Sequence, residues 1–205
     1  MKRILISILM LSGMFTMASA EIGVNVGVSA QVGSMTASGK EVNSNTSLTE
    51  TSKNNKQLFA TAGYFIEKDL AFLPGFLGDF GSRVHIGYDN IAHDLDLGSK
   101  TNQREARTGK ADGSEDTGAT NYSLSAKVDD FKTIYATVNI TDWLYVKAGE
   151  VTVDLTTKFT GTNTSSYPTS HSLDGTVLGF GVAKTSDNGM FFRLEYNDYD
   201  IDGKT

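Results

Sequence analysis

The sequence contains no cysteine and only two prolines, Pro74 and Pro168. Without cysteine there is no disulfide framework, and stability must come from packing and hydrogen bonding alone. With so few prolines, long stretches are free to pair as β-strands. No helical hydrophobic period of useful length occurs after residue 20, while 21 glycines accompany many Thr, Val, Tyr and Phe residues. These features predict an all-β protein.

The chain also lacks an excess of basic residues. It has 18 Lys and Arg against 24 Asp and Glu, which gives a net charge of −6. Nucleic acid is not expected as a partner of an acidic chain of this kind.

The first twenty residues have the pattern of a secretory signal peptide. Lys2 and Arg3 precede an apolar run from Ile4 to Phe15, and Ala18-Ser19-Ala20 supplies a cleavage motif. A single transmembrane anchor is the alternative, but the run is short and includes polar residues. We therefore expect residues 1–20 to be a cleaved leader and residues 21–205 to form one β-barrel domain.

Apolar and polar residues alternate with period two along seven segments after the leader. The predicted strands cover residues 22–33, 57–68, 80–92, 128–140, 143–159, 176–184 and 190–200. In the fifth segment the apolar positions change parity after Gly149-Glu150, which predicts a β-bulge at that point.

Long and short connections alternate between these strands. Residues 36–56, 93–127 and 160–175 form long, polar connections, whereas the remaining three are shorter. We expect residues 98–126 to be a solvated loop. Transmembrane barrels of the bacterial outer membrane have short turns at one end and long loops at the other. The alternation therefore favours an up-and-down membrane barrel over a soluble sandwich.

Glycines and charged residues share the less apolar face of the strands, which predicts a narrow polar lumen and an aliphatic face turned to lipid. Unpaired burial of these charges is costly, so a balanced cluster is expected toward the short-turn end. The candidate members are Glu67, Arg83, His85, Lys147, Arg193 and Glu195. Four aromatic residues are candidates for girdles at the two membrane interfaces: Phe80, Tyr88, Trp143 and Tyr196.

The stretches TAGYFIEKDL, VLGFGVAK and FFRLEYNDYDID, with the features above, resemble small outer-membrane β-barrels of the OmpA/OmpX-like superfamily of Gram-negative bacteria. The resemblance implies an eight-stranded antiparallel barrel, insertion by the outer-membrane assembly machinery and a largely closed interior. Because such barrels have an even strand number, seven strands predict that one closing strand is missing. The family's usual terminal aromatic residue is also not found at Gly203-Lys204-Thr205.

We therefore expect a non-enzymatic outer-membrane barrel with a structural and surface-interaction role. Its partners would be outer-membrane lipid and lipopolysaccharide, the assembly machinery, and an extracellular ligand or phage of unspecified identity. Two alternatives remain open: an outer-membrane enzyme acting on lipid or peptide through His85 and Asp89 at the outer rim, and a soluble lipocalin-like carrier with inward aliphatic faces.

No cofactor or metal site is predicted. The acidic stretch from Asp198 to Asp202 resembles the start of a calcium loop, but a strand precedes it and the loop is incomplete. Asp198 and Asp200 could instead lie just above the outer interface, where divalent cations bridge lipopolysaccharide phosphates.

Overall fold

The structure, a computed structural model, describes residues 3–14, 23–37, 40–42, 49–51, 55–72, 78–91, 93–109, 115–160, 170–186 and 191–202. These residues form eleven strands and a 3-10 turn, Gly78–Arg83. The strands are β1 (Arg3–Met14), β2 (Val24–Ala37), β3 (Lys40–Val42), β4 (Thr49–Thr51), β5 (Asn55–Asp69), β6 (Val84–Ile91), β7 (Leu95–Gly109), β8 (Glu115–Asn139), β9 (Leu144–Thr160), β10 (Ser170–Thr185) and β11 (Phe191–Asp202). Among the described residues, no helix is long and apolar enough to cross a membrane.

Eight strands form an antiparallel ring in the order β6, β5, β2, β1, β11, β10, β9 and β8, and the pairing of β6 with β8 closes it. β7 lies beyond the end of β6 and pairs with the first part of β8. The predicted fold class, an all-β antiparallel barrel, is confirmed.

β1 takes a position that the sequence did not predict for it. The predicted first and seventh strands correspond to β2 and β11, and these do not pair with each other; β1 lies between them and pairs with both. The eighth position is therefore filled by part of the expected leader, whose apolar run is long enough to serve as a strand. Cleavage after Ala20 concerns processing of the chain and stays a prediction.

The aliphatic face of the strands points out of the ring. Leu58 is 79% exposed, and other outward aliphatic and aromatic side chains on six of the eight ring strands are about half exposed or more. They are Val26, Val28, Val32, Ile66, Ile86, Ile134, Leu178, Phe180 and Phe192. The lipocalin-like alternative required these faces to point inward, and the structure does not meet that requirement.

The lumen has two halves of different chemistry. At the long-loop end an apolar core contains Met35, Val153, Leu173, Tyr199 and Ile201, all buried. At the short-turn end the buried residues are largely polar and charged. The expectation of a polar lumen therefore applies to only one half of the barrel.

The bulge predicted at Gly149-Glu150 is wrong. Pairing of β9 with β8 and with β10 continues through these residues without a register shift. Lys147, Val151 and Val153 all point into the lumen, since each is at most 2% exposed. The change along β9 is thus a change in lumen chemistry from polar to apolar, with the strand phase preserved.

The register irregularities lie elsewhere. In β8 the pairing with β9 shifts between Asp129 and Lys132, where Asp130 has a φ of 51°. Aspartate tolerates this left-handed conformation better than most residues. A second shift, between Asp96 and Ser99, occurs where β7 pairs with β8.

Residues 98–126 belong largely to strands, so the expectation of a loop is wrong there. β7 and β8 pair as far as Gly109 and Glu115, and β9 pairs with β8 only as far as Ser123. The hairpin formed by β7 and β8 therefore extends past its neighbour at the long-loop end. Its many Thr residues suit a strand, while polar composition alone suggested a loop.

Gly149 permits the close contact between β8 and β9 and provides a test of this packing. A Cβ atom at this position would collide with the Ile134 carbonyl oxygen and lie 2.7 Å from Tyr135 Cα. Because backbone atoms cannot yield as a flexible side chain can, we expect Gly149→Ala to lower the free energy of unfolding by about 1–3 kcal/mol. The measurement is the urea midpoint of the detergent-folded protein.

The neighbouring outward-facing residue supplies the matched control. Ala148 is exposed, so Ala148→Val should change the midpoint little. Equal effects of the two substitutions would contradict the close contact at Gly149.

Candidate functional site

Four charged side chains meet inside the short-turn half of the lumen. Glu67 comes from β5, Lys147 from β9, and Arg193 and Glu195 from β11; each is at most 4% exposed. All four stand on inward positions of their strands, and the outward residues beside them are apolar except for Lys68, which follows Glu67. The period-two alternation thus brings them together from three separate strands.

Glu195 is the centre of this group. Its carboxylate accepts hydrogen bonds from Lys147 Nζ at 2.8 Å, Tyr145 Oη at 2.6 Å and Asn197 Nδ2 at 2.6 Å. Arg193 Nη1 lies 3.5 Å from the same carboxylate. One carboxylate therefore binds two cations and two neutral donors.

Glu67 forms the second anionic position. Its Oε1 lies 2.5 Å from Arg193 Nη2 and accepts a hydrogen bond from Tyr135 Oη at 2.8 Å. Arg193 is consequently held between Glu67 and Glu195. The four side chains carry balanced formal charge, which burial of ions requires.

Aromatic rings contact both cations. Lys147 Nζ lies 3.9 Å from the ring centre of Tyr135, and the Arg193 guanidinium lies 4.8 Å from that of Phe65 and 5.3 Å from that of Tyr145. These distances suit cation–π attraction, which is stronger where water is excluded. The ion pairs and rings thus lie together inside the lumen at this level.

The predicted cluster is therefore only partly assembled. Glu67, Lys147, Arg193 and Glu195 lie together, and half-buried His85 lines a cavity beside Glu67 and Arg193. Arg83 does not join them, because it ends the 3-10 turn Gly78–Arg83 and is exposed. The alternation predicted Arg83 within a strand, but that strand begins only at Val84.

Sequence reasoning missed Tyr135, Tyr145 and Asn197 as members of the cluster. The alternation did predict that each of them occupies the inward face of its strand. Which residues meet across the lumen depends on strand register, which the pattern of one strand does not contain.

The four candidate girdle residues lie near the limits of the outward apolar face. Trp143, between β8 and β9, and Phe80, in the 3-10 turn, are more than half exposed at the short-turn end. Tyr196 is 40% exposed and is followed on its face by Asp198, while Tyr88 is half buried and followed by Asn90. Phe80 was expected to open a strand and instead precedes it.

A cavity of about 130 Å³ opens at the short-turn end below the cluster. Its lining includes Glu67, His85, Trp143, Tyr145 and Arg193, together with charged Asp142 and Lys184 and several neutral residues. Above the cavity, the cluster and then the apolar core of the other half occupy the lumen. The geometry is that of a plugged barrel.

His85 and Asp89 do not form an acid–base pair at an outer rim. They stand four residues apart on β6, so their Cα atoms are separated by roughly 13 Å. His85 lies at the short-turn end, and Asp89 is 4% exposed within the lumen. The position expected by the enzyme alternative is therefore wrong for both residues.

Acidic residues also gather on the outer surface of β9 to β11, toward the long-loop end. Glu150, Asp174, Asp200 and Asp202 line an open hollow there, and Thr152 Oγ1 donates a hydrogen bond to Asp174 at 3.2 Å. In the part of the chain that the structure describes, no three His, Cys, Asp or Glu side chains are arranged to hold a metal ion.

Comparisons with known proteins give no match for this chain, whether to protein-family models, to characterised proteins or to solved structures.

The cluster predicts that substituting a buried charge lowers the free energy of unfolding much more than substituting an exposed charge. Glu195→Gln removes the charge that balances two buried cations, so we expect the free energy of unfolding to fall by about 3–5 kcal/mol. Urea unfolding of the folded protein in detergent is the measurement.

An exposed ion pair provides the control for this substitution. Lys127 and Asp94 are 3.3 Å apart, and both side chains are more than half exposed. Asp94→Asn should cost at most about 1 kcal/mol. A loss from Glu195→Gln no larger than this would show that the cluster does not support the fold.

Proposed function

We propose that the chain is an outer-membrane β-barrel protein of the small OmpA/OmpX-like kind, with a structural and surface-interaction role. The observation that supports this proposal is the inverted distribution of side chains. Aliphatic residues face outward and are exposed, while two ion-paired carboxylates and two cations are buried inside. A protein surrounded by water gains free energy from the opposite arrangement. A barrel surrounded by lipid favours this one.

The dimensions of the outward face support a lipid environment. On β5 the outward residues from Leu58 to Ile66 include no charge. Eight residue steps of about 3.3 Å, on a strand tilted by about 40°, give a band roughly 20 Å tall, against about 25 Å for outer-membrane barrels. Exposed Trp143 and Phe80 at one limit and Tyr196 at the other suit interface aromatics.

The plugged lumen argues for a structural role over a general pore. Small barrels of about eight strands are filled by their own side chains. Here the filling consists of the charge cluster and the apolar core in series. Solute passage would require both layers to rearrange.

The extended hairpin supports the surface-interaction part of the proposal. β8 has 25 residues, whereas about 9–11 residues suffice for a strand to cross the bilayer. β7 and β8 therefore carry paired backbone well past the membrane at the long-loop end. A ligand, a phage or lipopolysaccharide would meet this hairpin first. Export through the predicted leader and folding by the outer-membrane assembly machinery complete the proposal.

A charged substitution in the middle of the outward face tests the lipid environment. Phe180 is 57% exposed and lies between Leu178 and Val182 on the outward face of β10. We expect Phe180→Arg to cost about 2–4 kcal/mol in lipid vesicles, because a cation would lie near the bilayer midplane. The measurement is the free energy of unfolding from vesicles.

Two control variants separate lipid contact from packing. Phe180→Ala accounts for loss of the contact between the Phe180 and Tyr196 rings. Ser172→Arg places the same cation on the same face of β10 beyond the apolar band, where the cost should be small. If Phe180→Arg is no worse than Phe180→Ala, and the protein fractionates as a soluble monomer without heat-modifiable migration on a denaturing gel, the proposal is wrong.

A further inference from the structure

The barrel has a seam at β1. β1 pairs with β11 from Arg3–Asp202 to Met14–Phe191 and with β2 from Ile4–Ala37 to Gly13–Val28, antiparallel in both cases. β2 and β11 consequently run parallel to each other. Without a strand between them, they could close the ring only by parallel pairing, which leaves an odd strand number of seven. The gap between β2 and β11 is therefore shaped for one antiparallel strand.

Near the short-turn end, the inward side chains of β2 and β11 favour polar residues on the strand that lies between them. The position of Met10 lies between Gln31 and Glu195, whose side chains are both 1% exposed in the lumen. The position of Ile8 lies beside Asn197, which is fully buried. Gln31 Oε1 is buried and has no hydrogen-bond partner among the described residues. A hydrogen-bonding side chain at position 10 would be next to this acceptor.

The same neighbours specify apolar chemistry elsewhere along the seam. The position of Ile6 lies between Met35 and Tyr199, both in the apolar core. On the outer side, the position of Leu9 lies between exposed Val32 and Tyr196.

β1 satisfies the apolar requirements but not the polar ones. Apolar Ile4 and Ile6 occupy register positions beside residues of the apolar core, and apolar Leu9 and Leu11 occupy positions beside outward residues. Residues 8 and 10, however, are Ile and Met, which have no amide or hydroxyl group for the polar register positions. The mismatch is confined to these two adjacent inner positions, where the charge cluster begins.

We infer that the seam between β2 and β11 is an acceptor site for an exchangeable strand, and that Arg3–Met14 is a replaceable occupant. The matching partner is an extended polypeptide segment of about the 12 residues that β1 has, antiparallel to both neighbours. It carries apolar residues at the positions of Ile4, Ile6, Leu9 and Leu11, and amide or hydroxyl side chains at those of Ile8 and Met10. Main-chain hydrogen bonds supply its affinity, and the alternate side chains supply its selectivity.

Disulfide capture of a synthetic peptide tests this site, because the chain contains no cysteine. The seam peptide has the sequence of residues 3–14 with Leu9→Cys, Ile8→Thr and Met10→Gln. It is added to the folded full-length protein carrying Tyr196→Cys or Val32→Cys, the two register partners of position 9. We expect an adduct at both cysteines. Full-length protein carrying Ile134→Cys, an outward position 64% exposed on β8 away from the seam, should form about tenfold less.

Two comparisons test the selectivity of the site. A peptide with Leu9→Cys alone should give about tenfold less adduct than the seam peptide, equivalent to about 1.4 kcal/mol. Introducing Ile8→Thr and Met10→Gln into the Tyr196→Cys protein should improve the resident strand and reduce capture of the seam peptide. Absence of adduct at the seam, equal adduct at Ile134→Cys, or equal capture of the two peptides would each overturn the inference.

Discussion

Glu195 is the constraint on which the rest of the barrel depends. A buried carboxylate is tolerable only when cations and donors surround it, and here Lys147, Arg193, Tyr145 and Asn197 all contact it. These contacts join β9 to β11 across β10, and the bond from Arg193 to Glu67 extends the group to β5. The register of several strands is thereby linked to one side chain.

Large side chains in a narrow lumen require small neighbours, and the glycines provide them. A Cβ atom at Gly87 would lie 2.6 Å from an atom of the Tyr135 ring, and one at Gly181 would collide with the Tyr145 hydroxyl. Both tyrosines donate to the carboxylates of the cluster. The glycine-rich inner face is thus the counterpart of the aromatic and charged residues that plug the barrel.

Seven of the eight ring strands and the direction of their faces could be predicted from the sequence, because period two persists where one face is exposed and the other lines the lumen. The parity change in β9 could not be interpreted correctly from that strand alone. An apolar Val151 on an inward position looks like a shifted phase until its neighbours in the upper core are known. Likewise, Tyr135 and Tyr145 became recognisable as cluster members only once strand register was fixed.

The role of residues 3–14 was the hardest feature to predict, for a physical reason. A leader requires an apolar run without alternation, whereas a barrel strand normally shows alternation that fixes its register. A segment with apolar residues at both odd and even positions fits the pattern of a leader. It can also pair as a strand, but its own side chains do little to determine which face points inward. In this barrel the neighbours β2 and β11 supply that selection instead, through the apolar Met35 and Tyr199 on the inside and Val32 and Tyr196 on the outside. Closure therefore depends on the strand whose own sequence specifies its place least.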